Sequence, residues 1–196
     1  MPALGKTTQI SRAEAFQKLD SVVKNFPPIQ VGEQIIEFPH LVPHVVDLPN
    51  HGPDGRTLRV RISYQSHVFS QSCAHDAEDF DFLDEGKNKR TFCIDRFNLS
   101  QGLPAICTNL LESNAYTWES KDKNRVSNLA VIDGALVSGR HHVVVYYLFP
   151  SKVDGLDVEM VVKSAYEKDI NFDHIKRRFR MIQKVKTCFY TKKRIP

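Results

Sequence analysis

No stretch of this 196-residue chain approaches the roughly 18 consecutive apolar residues that a bilayer-crossing helix needs, so no membrane-spanning segment is expected. The first residues, MPALGKTTQISRAEAF, lack the apolar core of a secretion signal. Cysteine is sparse: Cys73, Cys93, Cys107 and Cys188 never fall at C-x-x-C spacing, and without an export signal they are expected as free thiols. These absences point to a soluble cytoplasmic protein. The G-x-x-x-x-G-K-[ST] and G-x-G-x-x-G loops are missing, as are a G-x-S-x-G elbow and an H-E-x-x-H helix. Nucleotide binding and hydrolase chemistry by those routes therefore have no support. No cofactor is expected, and no repeat or low-complexity tract is present.

What is present supports a folded domain. Apolar residues make up 41% of the chain and include 12 Phe, enough to fill a core without staples. The net charge of +4 hides an asymmetry: Lys176–Pro196 holds nine of the 27 basic residues and none of the 23 acidic ones. The rest of the chain is therefore net acidic, with six carboxylates concentrated in DAEDFDFLDE, Asp76 to Glu85. A basic terminal segment suits a polyanion, because each phosphate contact releases counterions. Its plain alternative is a solvated face.

Periodicity divides the chain into a short arm, residues 1–30, and a single α+β domain, residues 31–196. Ser11 and Glu14 form a capping box. Ala15, Phe16, Leu19, Val22, Val23 and Phe26 then recur at helical spacing until Pro27 and Pro28, which predicts an N-terminal helix. Beyond it the pattern turns to period two. EQIIEF is strand-like, and the proline-rich FPHLVPHVVDLPNHGPDG reads as an extended edge or loop and not a central strand. In RTLRVRISYQSH, Leu58, Val60, Ile62 and Tyr64 share one face, while Arg59, Arg61, Ser63, Gln65 and His67 share the other. RTFCIDRF reads as a strand, LSQGLPAICTNLLES as a short helix from Leu103 or Pro104, and NAYTWES and RVSNLAVID as strands joined by KDKN. HHVVVYYLF and LDVEMVVKSAY form a hairpin around Asp154-Gly155, and KRRFRMIQKVKTCFY reads as a last strand. The resulting fold class is α+β: an N-terminal helix followed by a mainly antiparallel twisted sheet with one inserted short helix.

Two patterns invite chemistry. ISYQSHVFSQSCAHD, Ile62 to Asp76, gathers His67, Cys73 and His75, and Cys93 returns from a later strand. Zinc accepts such donors, but structural sites pair their ligands on tight knuckles and this spacing does not. A polar loop with no metal is the preferred reading. The second pattern is catalytic. Cleavage of RNA without metal needs a base for the 2′-hydroxyl, an acid for the leaving oxygen and cations for the phosphate. His67 suits the base, and Arg96, with Arg59 and Arg61, suits the phosphate. Val162, Ser164 and Tyr166 alternate onto one face at a strand end, which makes the Ser164 and Tyr166 hydroxyls neighbours. Arg178, Arg180, Lys184 and Lys186 line the final strand as nucleic-acid contacts. The ordinary reading of each is a solvated charge or a hydroxyl bonded to backbone.

The segment VEMVVKSAYEKD, Val158 to Asp169, resembles the penultimate strand of prophage-associated ribonuclease domains of the barnase–EndoU–colicin–RelE-like group, small α+β toxins with an N-terminal helix before an antiparallel sheet. The resemblance implies that Ser164 and Tyr166 occupy that group's Ser/Tyr position. His67 as base is a reading of the residues alone. The favoured expectation is a metal-independent endoribonuclease of toxin or phage-conflict type. The alternative is a non-enzymatic nucleic-acid-binding or protein-interaction module using the basic C-terminal strand. Partners are then RNA or another protein, no membrane, with a homo-oligomer also open.

Overall fold

The period-two runs of the sequence become the strands of a seven-stranded sheet in the computed structural model. It describes residues 25–74, 76, 78–122, 125–131, 137, 139–171, 173 and 175–196, with the side chains of 121–122, 125–127, 131 and 176 left aside. Strands β1 (Ile29–Val31) and β2 (Gln34–Ile36) form a small hairpin, followed by β3 (His44–Leu48) and β4 (Leu58–Tyr64). A second small sheet contains β5 (Ser70–Ser72), β6 (Phe82–Leu83) and β7 (Lys89–Phe92). Helices α1 (Ile94–Ser100) and α2 (Leu103–Glu112) come next. They lead into β8 (Tyr116–Asp122), β9 (Arg125–Val131), β10 (Gly139–Pro150), β11 (Val158–Ile170), β12 (Ile175–Arg180) and helix α3 (Met181–Thr191).

The main sheet runs β12-β8-β9-β10-β11-β4-β3. The expected plan, an N-terminal helix before a mainly antiparallel sheet with one inserted helix, is corrected on two counts. The sheet is mixed, because β11 pairs with β4 in parallel, Met160 opposite Ile62. The α-helices among the described residues begin only at Ile94: two lie between strands and the third follows the last strand. The helix expected from Ser11 lies outside the described residues, except at its Phe26 end. Among those residues, no helix is long and apolar enough to cross a membrane.

One face of the sheet carries the main core. Leu58, Val60, Ile62, Tyr146, Leu148, Met160 and Val162 are all fully buried. They join Leu103, Cys107 and Leu111 of α2 and Met181, Val185 and Cys188 of α3 in one cluster. Leu129, Val143, Val145 and Ile170 form a smaller cluster with Trp118 and Tyr166. At the end of the small sheet, Phe38 stacks on Phe69 at 4.1 Å, and Phe26 meets Phe69 edge-on at 4.9 Å.

Three local expectations also change. The strand drawn across residues 176–190 stops at Arg180. Met181, Ile182, Val185, Cys188 and Phe189, spaced i, i+1, i+4, i+7 and i+8, are the buried stripe of a helix. The strand read through RTFCIDRF ends at Phe92, and α1 takes up Arg96. The register of β10 and β11 shifts so that Val145 faces Ser164 while Tyr146 faces Val162. Lys163 is the extra residue of this bulge, which turns Ser164 and Tyr166 onto the face opposite Val162.

Candidate functional site

The four residues expected to be catalytic do meet, but through a backbone carbonyl. β11 runs on past Tyr64, where β4 ends, and a 3-10 turn over Ser66–Val68 continues along its edge with Gln65 N–H bonded to Val162 C=O at 2.9 Å. The His67 carbonyl accepts from Arg96 Nη1 at 3.1 Å and from Ser164 Oγ at 3.4 Å. Arg96 Nη1 also donates to Ser70 C=O at 2.7 Å, and its guanidinium lies 5.3 Å from the Tyr166 ring centroid. Arg96 and Ser164 therefore fix the turn.

The His67 ring points instead into the acidic segment. Its Nε2 lies 3.2 Å from Asp84 Oδ2, and the Asp84 side chain is 2% exposed against 27% for His67. Asp84 Oδ1 accepts the N–H groups of Gly86 and Asn88 at 2.9 and 2.8 Å. Burial pushes the Asp84 carboxyl up, but the bonds from Asn88, His67 and Gly86 outweigh it and hold it below its ordinary value. An ionised carboxylate only accepts, so Nε2 carries the ring hydrogen and the neutral ring keeps its lone pair on Nδ1. Burial, aided by the nearby Arg90 charge, keeps the His67 pKa below the ordinary histidine value despite Asp84. Glu85 is occupied too, accepting from Ser66 N–H and Ser66 Oγ at 2.9 Å each. The acidic stretch is thus partly stitched to the body by Asp84, Glu85 and Asp81, whose Oδ2 accepts from Phe92 N–H at 2.6 Å.

The arginines expected to face a phosphate from β4 have carboxylate partners. Arg61 grips Glu159 of β11 through a fork, Nε at 2.7 Å and Nη2 at 2.8 Å. Arg59 donates to Asp47 Oδ1 and to Gly155 C=O, both at 3.1 Å. Arg90, 2% exposed, donates to Ser70 and Ser72 within the small sheet. Cys73 Sγ sits 2.8 Å from Thr91 Oγ1, and Cys73 and Cys93 are both free thiols. His75 lies outside the described residues, among which no three His, Cys, Asp or Glu side chains are placed to hold a metal.

The remaining expected cations gather elsewhere. On α3 the face opposite the buried stripe carries Gln183, Lys186, Thr187 and Tyr190, and it forms one wall of an open groove of about 710 Å3. His51, Asn114, Arg180, Ile182 and Thr191 complete the lining, and among the described residues no acidic one contributes to it. Asn114, in the left-handed region at φ 49°, organises this corner. Its Oδ1 accepts Ile182 N–H at 3.0 Å, capping α3, and its carbonyl accepts Arg180 Nη1 at 3.2 Å. Arg180 and Arg178 flank the Tyr116 ring at 3.7 and 4.4 Å from its centroid. Lys186 makes no hydrogen bond or ion pair among the described residues. Lys184, expected on the same outward face, instead points inward to Glu119 Oε1 at 2.6 Å.

Sequence reasoning missed His51, Asn114 and Tyr190. Asn114 had a signal, since Asn after a helix end often takes the left-handed conformation. His51 and Tyr190 had none beyond their type, because their juxtaposition depends on tertiary packing. Comparisons with curated proteins and with solved structures each return no match. The model of the YjaZ family, however, matches residues 28–194, spanning the sheets, the His67 turn and the α3 groove, and the chain belongs to that family.

Proposed function

We propose that this protein binds nucleic acid, with RNA the favoured form, through the face built by β12 and the outer side of α3. The carrying observation is the groove in which Arg180 and Lys186 stand together with no carboxylate among its lining residues. Elsewhere Arg59 and Arg61 have carboxylate partners, whereas Arg180 and Lys186 have no carboxylate partner among the described residues. Arg178 extends the positive strip along β12. A polyanion gains there by counterion release. Anisotropy of a labelled RNA oligonucleotide tests this. Arg180→Ala and Lys186→Ala should each weaken binding and lower the slope of log affinity against log salt by about one, while Arg59→Ala should change neither. Binding that ignores salt, or that the two groove substitutions leave intact, removes the proposal.

A second reading, metal-independent RNA cleavage, rests on the His67–Asp84 pair, in which a neutral imidazole presents Nδ1 as a base. In that step the 2′-hydroxyl proton passes to Nδ1 and the 2′-oxygen attacks phosphorus. The 5′-oxygen leaves and takes a proton from water, giving a 2′,3′-cyclic phosphate. Because the His67 pKa lies below the ordinary value, the base stays unprotonated into mildly acidic solution, and cleavage should persist there. RNA should be cut in EDTA by the native protein and not by His67→Ala. RNA left intact at high protein concentration ends this reading and leaves the binding proposal standing.

A further inference from the structure

We propose that the groove is a single-strand site, in which an unpaired base lies on the ring of Tyr190 while neighbouring phosphates meet Arg180 and Lys186. The inference rests on the nucleic-acid reading above and names the form of nucleic acid. Other aromatic faces on this basic surface are already covered. Arg178 and Arg180 flank Tyr116. Lys192 lies 4.0 Å and Arg56 5.1 Å from the centroid of the Phe189 ring, and Arg194 lies 4.4 Å from that of Tyr147. Tyr190 differs. It is 57% exposed, it lines the groove, and among the described residues no cation stands over it. Its ring meets that of Phe189 in a T-shaped contact at 5.1 Å, and Phe189 is itself 9% exposed and part of the core. An exposed tyrosine anchored beside a core aromatic offers a stacking platform, and stacking accepts any base because every base has a π-face.

The order of groups along the wall suits a strand. Arg180 precedes α3, Lys186 sits near its middle and Tyr190 near its end, a span of roughly 15 Å at the rise of an α-helix. The Gln183 side chain, which makes no hydrogen bond among the described residues, lines the groove beside them and can meet the edge of a base. A duplex fits poorly. The major groove of an A-form RNA duplex is too deep and narrow for a helix to read, so α3, which lines an open groove together with His51 and Asn114, has no duplex groove to enter. A duplex also keeps its base faces stacked inside, out of reach of Tyr190.

The test compares four probes by anisotropy at low salt: a single-stranded RNA, the same sequence as a duplex, an abasic strand of equal length, and inorganic polyphosphate as competitor. The single strand should bind about tenfold or more tightly than the duplex or the abasic strand, the scale of one base stacked on an aromatic ring. Tyr190→Ala should remove that advantage while leaving abasic-strand binding unchanged, and Tyr190→Phe should restore it. The exposure of Tyr190 predicts that both variants fold, which unchanged circular dichroism and melting would show. Equal affinity for single strand and duplex, or a single strand indifferent to Tyr190→Ala, overturns the stacking inference while Arg180→Ala still reports on the binding reading. If no probe binds and Arg180→Ala has nothing to weaken, both readings fall together.

Discussion

Glu119→Ala is expected to lower the unfolding free energy by about 3 kcal/mol, because it strands a buried cation, and to lower the thermal midpoint by roughly 6–12 °C in a chain of this size. Lys184 reaches under α3 to Glu119 Oε1 at 2.6 Å, with side-chain exposures of 6% for the lysine and 26% for the glutamate. The Lys184 Nζ also stands 3.8 Å from the Phe179 ring centroid. Removing the carboxylate leaves an ammonium out of water with only a ring to face it. Glu119 is itself 26% exposed, so water reaches the vacated site, which places the expectation at the low end of the 3–5 kcal/mol range for breaking such a pair. Lys184→Met in the Glu119→Ala background should recover most of the loss, since methionine fills the same apolar space without charge. Urea unfolding of the native protein, both single variants and the double variant closes the cycle. A Glu119→Ala loss below about 1 kcal/mol, the level of an exposed pair, or a double variant no more stable than Glu119→Ala, would show that Lys184 is not held as a buried cation.

Lys184 also shows where the sequence was legible and where it was not. Read as a strand, Lys184 and Lys186 share one outward face. On a helix they stand about 200° apart, so one lysine enters the core and the other enters the groove. The apolar positions 181, 182, 185, 188 and 189 carried the helical period, but the basic run Lys176, Arg178, Arg180 before them alternates as a strand does and masked the change of period. Strand faces were legible: Leu58, Val60, Ile62 and Tyr64, grouped by period two, are all buried at 3% exposure or less. Strand partners were not, because alternation fixes which face is buried and leaves the neighbour and its direction open. That is why Arg61 looked like a free cation when Glu159, 98 residues away, holds it. The grouping of Val162 with Ser164 and Tyr166 failed for a local reason, the extra residue Lys163, which alternation alone does not reveal. The meeting of His67, Arg96, Ser164 and Tyr166 was legible as a set, but not its geometry, in which the His67 carbonyl is the hub and the ring turns to Asp84.

Met160→Ala and Ile62→Ala test the parallel seam that period two could not disclose. Both side chains are 0% exposed, they are Cα partners in the β4–β11 ladder, and both belong to the cluster covered by α2 and α3. Each truncation removes buried methylene groups and leaves a cavity in a rigid sheet, at a cost of about 3 kcal/mol. The double variant should cost less than the sum of the two by about 0.5 kcal/mol or more, because neighbouring cavities merge and the second truncation removes contacts the first has already lost. Denaturant midpoints with an unchanged m-value would report this directly. Strict additivity within about 0.3–0.5 kcal/mol is the behaviour of distant, independent sites. It would mean that the two residues do not share a seam and that β11 has another neighbour. The seam also bears on the face proposed to bind nucleic acid, since β11 joins β4 to β10, Tyr146 and Leu148 of β10 lie in the same cluster as Val185 and Cys188 of α3, and Val185 and Cys188 set which side of α3 is left for Lys186 and Tyr190. A loss at Met160 large enough to loosen α3 should therefore weaken the proposed RNA binding at temperatures below global unfolding, whereas a pure stability loss would leave affinity unchanged until the fold gives way.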